Sequence, residues 1–194
     1  MLKALTTWIR IGALLGLLSL PSMAYAQATA VQSVGHVSIG TGFSYAHPDF
    51  WTTSVGDPKY ADSGISGITF YSDYNFSEHL GAEVDYHSIS LITSLDRAEN
   101  TFLVGPRIMV PHGHLNFYGK AVIGIGNLSI QEEADNHGLQ SGSGIVYGYG
   151  GGLDIQCSES VVLRVIDFET QKWNFYGAGI SPTVFTFGAA YRFH

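Results

Sequence analysis

From residue 34 onward, apolar residues alternate with small or polar ones at a period of two, and no apolar run there is long enough to cross a membrane as a helix. Alternation of this kind places successive side chains on opposite faces of an extended strand, so it specifies a sheet with one greasy face. Eight stretches carry it: residues 34–46, 64–74, 80–89, 101–110, 115–126, 144–156, 161–169 and the terminal 184–194. The last is the most regular. Phe185, Phe187, Ala189, Tyr191 and Phe193 share one face, opposite Val184, Thr186, Gly188, Ala190 and Arg192.

The charges decide which face points inward. They collect on the side opposite the apolar residues: Glu83, Asp85, Arg107, Lys120, Asp154, Arg164 and Arg192. A secreted lipocalin-like barrel has the reverse polarity and must cover its outside with charge. Here only 13% of residues are charged, against roughly a quarter in soluble domains. In lipid, an outward Arg or Lys at mid-depth costs about 2–4 kcal/mol. The fold predicted is therefore all-β: an eight-stranded antiparallel up-and-down transmembrane β-barrel with the seven charges forming a mutually neutralising network in its lumen. Eight strands leave an interior just wide enough for side chains to fill, so no continuous water-filled pore is expected. Arg164, Asp167 and Glu169 do not share one parity, which predicts a bulge in the seventh strand.

Short links follow strands two, four and six, whereas 48–63, 90–100, 127–143 and 170–181 read as longer loops. Outer-membrane barrels have this asymmetry, with the long loops outside the cell. Tyr45, Phe50, Trp51, Tyr60, Trp173, Phe175 and Tyr176 lie near the long-loop ends, and Tyr74, Phe76, Phe117 and Phe193 near the short turns, as two interfacial belts would require. Lys3 and Arg10, the apolar stretch from Ile11 to Leu20, and Ala24-Tyr25-Ala26 have the layout of a secretory signal peptide. The expected division is residues 1–26 as signal peptide and 27–194 as barrel. Loss of Lys3 and Arg10 leaves seven of the nine basic residues against sixteen acidic ones, which argues against nucleic acid as a partner. Cys157, the one cysteine, has no internal partner for a disulfide.

In these features the chain resembles the small eight-stranded outer-membrane barrels of the OmpA/OmpX-like superfamily. The terminal strand carries the sharper likeness. Thr186, Gly188, Tyr191 and Phe193 match in order the polar-x-Gly-x-x-aromatic-x-aromatic assembly signal of such barrels, with His194 one residue beyond it. The resemblance implies location in the outer membrane and handling of this strand by the barrel-assembly machinery. It gives no peptidoglycan-binding role, since no further domain is expected after the barrel. Outer-membrane lipid and lipopolysaccharide are the expected surroundings, the protein is expected to be a monomer without cofactor or metal, and its loops could hold an unknown surface ligand.

Several motifs bear on chemistry. His36 and Ser38 share a strand face, with Glu83 or Asp85 available to orient the imidazole, as a lipid A-modifying enzyme would need; polar packing of the lumen is the favoured explanation. His112-Gly113-His114 offers two imidazoles in a turn, too few for a metal site. Glu132 to His137 lacks the spacing of a calcium loop. The glycines of Tyr147 to Gly152 precede no helix and so cradle no phosphate; they relieve crowding or permit a bend. The leading reading is a non-enzymatic barrel acting through its fold and loops, with a lipid-modifying enzyme or a narrow channel on the same scaffold left open.

Overall fold

A computed structural model of the chain describes residues 34–47, 64–92, 97–130, 140–175 and 178–193. The signal segment, Phe50, Trp51, Tyr60, Tyr176, Glu132 to His137 and His194 lie outside the described residues. Nine strand segments follow in order: β1 (Val37–His47), β2 (Ile65–Asn75), β3 (Leu80–Ile92), β4 (Arg97–His112), β5 (Leu115–Ile130), β6 (Gln140–Gln156), β7 (Val161–Phe175), β8 (Ala178–Ile180) and β9 (Thr183–Phe193). Each pairs antiparallel with its neighbours. β1 closes the ring by pairing with β2 on one side and β9 on the other, so Ile39 faces Ser72 and Tyr191. Closure is what lipid demands, because an open edge leaves backbone groups unpaired at several kcal/mol each.

The ring has eight staves because β8 and β9 act as one strand. β8 pairs with the end of β7 and β9 continues along the same edge. The break falls at Ser181 and Pro182; Pro182 has no N–H for the ladder, but its carbonyl still accepts the Gln171 N–H at 2.9 Å.

Four elements run at least four residues further toward the long-loop end than the alternation predicts. Arg97–Asn100, Asn127–Ile130, Gln140–Ser143 and Thr170–Phe175 belong to ladders, not loops. Residues 93–96 and 176–177 are all that separate two of the strand pairs there. Polar residues disguised these extensions: Glu99 keeps the inward parity of Thr101 and Leu103, where it is hidden from lipid. Between Arg164 and Asp167 the register of β7 against β9 shifts, and on the β6 side Leu153 pairs with Ile166 while Asp154 pairs with Arg164. Val165 is thus one extra residue. This bulge brings Arg164, Asp167 and Glu169 all to the interior.

The polarity is that of a membrane protein. Ile108 and Ile125 are 64% and 65% exposed on the outer wall, while Arg107 and Arg164 are each 2% exposed inside. Edge-to-face pairs of Tyr74 with Phe76 and of Tyr191 with Phe193, each with centroids 5.0 Å apart, stand near the short-turn end. Trp173 does not join an outer belt. It points inward, packs with Leu103, Val122, Leu128 and Val146, and donates its indole N–H to Gln171 at 2.9 Å. A second apolar cluster, Ala46, Ile65, Ile89 and Val184, fills the opposite wall at the long-loop end.

Candidate functional site: a braced lumen

Three cations span the interior. The Arg107 guanidinium of β4 lies 2.8 Å from Asp73 and 3.2 Å from Glu83, and also bonds Asp154. Arg164 of β7 reaches across the barrel to β2 and β3, 3.2 Å from Asp73 and 3.0 Å from Glu83, with Asp154 at 3.4 Å. The Lys120 ammonium of β5 is surrounded by Glu83 at 2.8 Å, Asp85 at 2.9 Å, and Asp167 and Glu169 each at 3.0 Å.

Aromatic rings complete the brace. Arg107 stacks on the Tyr118 ring at 3.5 Å and Arg164 on the Tyr71 ring at 3.7 Å, contacts that favour a planar cation over a ring face. The Tyr118 hydroxyl donates to Asp167. Room for these rings comes from missing side chains. A Cβ on Gly40 would lie 2.3 Å from the Tyr71 ring, and one on Gly152 would lie 2.5 Å from the Tyr118 hydroxyl.

Six of the seven expected lumen charges therefore meet in one network. The seventh, Arg192, lies on the wall of a cavity of about 30 Å³ at the short-turn end, with Ser38, Asp73, Arg107 and Asp154. That volume holds about one water. Asp73, Asp167 and Glu169 are full members that the expected set omits. Asp73 was detectable: Thr69, Tyr71 and Asp73 alternate with Ile68, Phe70 and Tyr74. Asp167 and Glu169 needed the bulge to be placed first. Among the described residues, seven buried acidic side chains (Asp73, Glu83, Asp85, Glu99, Asp154, Asp167 and Glu169) share the lumen with four buried basic ones, so acidic groups outnumber basic ones there.

The other singled-out residues fall elsewhere. Thr186 points inward and its hydroxyl is 2.7 Å from that of Ser44. Gly188 sits against β1, where a Cβ would meet the Thr41 carbonyl at 2.5 Å. Tyr191 and Phe193 stand on the outer wall. The His36 Nδ1–H donates to the Phe193 carbonyl at 2.9 Å, Ser38 is buried, and Glu83 and Asp85 are taken by Lys120 and Arg164. His112 and His114 are exposed in a turn, where Gly113 at φ 62° supplies the left-handed residue. Cys157 is exposed in the β6–β7 turn.

Solved structures share this fold. Ail, the attachment invasion locus protein of Yersinia pestis, is 18% identical, with 83% of this chain and 100% of that chain covered and a TM-score of 0.57; it has also been solved with the heparin analogue sucrose octasulfate. Neisserial surface protein A is 12% identical over 82% of this chain and 96% of that one, TM-score 0.52. The outer membrane protein OprG of Pseudomonas aeruginosa is 14% identical over 83% and 97%, TM-score 0.50. A search of curated proteins found no match. The family model for the outer membrane protein beta-barrel domain matches residues 12–193. With a closed antiparallel ring, a charged interior and that match over nearly its whole length, the chain belongs to the outer membrane protein beta-barrel domain family and resides in the outer membrane.

Proposed function

We propose that this protein is a non-enzymatic monomer whose lumen is plugged by its own side chains and whose work is done at the long-loop end, outside the cell, through surface contacts. The observation that carries this reading is the crossing of the lumen by Arg164, from β7 to Asp73 on β2, with Arg107 and Lys120 anchored to the same carboxylates. In this reading the brace leaves no room for a water column. Catalysis has less support, since the carboxylates that would orient His36 are engaged by Lys120 and Arg164. In this reading residues 1–26 are removed on export, lipid and lipopolysaccharide surround the barrel, and the assembly machinery reads Thr186, Gly188, Tyr191 and Phe193.

The surface partner is not a sulfated polyanion of the kind bound to Ail. Four of the seven basic residues after residue 26 are inside the barrel, leaving Lys59, Arg97 and Lys172, too few for a polyanion-binding patch. Single-channel recording in planar bilayers tests the plug: long closed baselines are expected, and a large steady conductance would refute it.

A further inference from the structure

His87 lies wholly within the barrel at 1% exposure. Its Nδ1 is 2.7 Å from the Thr69 hydroxyl, which bonds Ser44, which in turn lies 2.7 Å from Thr186. The chain holds the ring in one orientation, and when it runs from His87 to Thr69 to Ser44 to Thr186, each group donating to the next, Nε2 carries a lone pair. That lone pair faces Glu169 Oε1 at 3.7 Å, beyond hydrogen-bond distance. Nε2 has no hydrogen-bond partner among the described residues, and neither has Asp85 Oδ1. Asp85, His87 and Glu169 each bring one ligand atom to within 4.8 Å of the others. Glu169 Oε1 accepts from the Gln171 amide at 2.7 Å and Asp85 Oδ1 lies 3.9 Å from Arg164, and each oxygen keeps a further lone pair beside Nε2 at this buried point.

We infer that Asp85, His87 and Glu169 form a buried site for a divalent first-row transition metal, with Zn²⁺ the simplest occupant. One imidazole and two carboxylates suit such an ion. Calcium and magnesium prefer all-oxygen shells of six or more ligands, and copper(I) needs soft sulfur ligands. The Thr69 hydroxyl plays the part of the outer partner that fixes the tautomer of a metal-bound histidine. Lys120 holds the other carboxylate oxygens, Asp85 Oδ2 at 2.9 Å and Glu169 Oε2 at 3.0 Å, so the ion would be met by Asp85 Oδ1 and by the second lone pair of Glu169 Oε1, whose first is taken by Gln171. Bond lengths near 2.1 Å set tetrahedral ligands about 3.4 Å apart, so the three side chains close in by about an ångström on binding. The lumen can neutralise a further cation, because its acidic groups outnumber its basic ones. Glu99 is one of the acidic groups: it is 1% exposed, sits in register between Ile89 and Leu128, and has neither oxygen bonded among the described residues.

The test uses tag-free protein refolded in detergent with Zn²⁺ or Co²⁺, freed of loose metal by gel filtration and measured by elemental analysis and visible absorption. About one ion per chain is expected, with Co²⁺ bands that change on losing the imidazole. His87→Gln and Glu169→Gln should abolish retention, and Thr69→Val should weaken it about 10–100-fold. His112→Ala/His114→Ala should keep it. Heat-modifiable gel migration shows which variants are folded, and His87→Ala provides a second variant at the histidine. Folded wild-type protein that retains no metal, or retention that follows His112 and His114 in place of His87, would overturn the assignment.

Discussion

Lys120 on β5 and Glu83 on β3 meet at 2.8 Å in the middle of the barrel, and the same ammonium serves Asp85, Asp167 and Glu169. A buried pair adds little net stability over apolar packing, but removing one member leaves the other uncompensated at about 3–5 kcal/mol. Lys120→Met should therefore lower unfolding stability by at least that amount, read from the urea midpoint of the heat-modifiable band. Lys120→Arg should lose much less. A Lys120→Met variant as stable as wild type would mean that the carboxylates are balanced by something else.

Val165 is the extra residue that the bulge absorbs, so that Arg164 and Asp167 share the interior. Deleting it leaves Arg164, Ile166 and Asp167 in simple alternation with both charges still on the inward face, so this deletion should fold. Deleting Val165 and Ile166 together makes the two charges adjacent, turns one of them toward lipid and should abolish folding into detergent or bilayers. The folded fraction on a gel checks both.

Gly40 leaves space for the Tyr71 ring, on which Arg164 stacks. Gly40→Val should cost about 1–3 kcal/mol through overpacking. Gly119 is the control, because a Cβ there has no contact nearer than 3.8 Å; Gly119→Ala should be close to neutral in the same urea titration.

The terminal strand closes the ring against β1 and, on our reading, also serves as an assembly signal. The two roles separate by experiment. Phe193→Ala should refold in detergent to nearly the wild-type extent, since its ring lies on the outer wall, yet accumulate far less in outer membranes of living cells. Equal accumulation of variant and wild type in cells would remove the signalling role.

Much of this architecture could be read from alternation alone, because lipid on one side and a sealed lumen on the other impose opposite chemistry on adjacent residues. Arg107 and Lys120 were identifiable from parity. Glu99 was not: a charged residue near a strand end looks like loop until the ladder is seen to continue past it. Trp173 was misplaced for a related reason, since its parity depends on the bulge at Val165. Contacts across the barrel, such as Arg164 with Asp73, join residues far apart in sequence and depend on closure and register. No local pattern encodes them.

The central claim is that apolar side chains face hydrocarbon while the charged ones are enclosed. A photoactivatable carbene on a lipid acyl chain, incorporated into vesicles with the native protein and mapped by mass spectrometry, tests it without mutation. Label is predicted on Ile108, Ile123, Ile125 and Phe187, with Arg107, Lys120 and Arg164 spared. Label on those three cations with Ile123 and Phe187 spared would contradict the account.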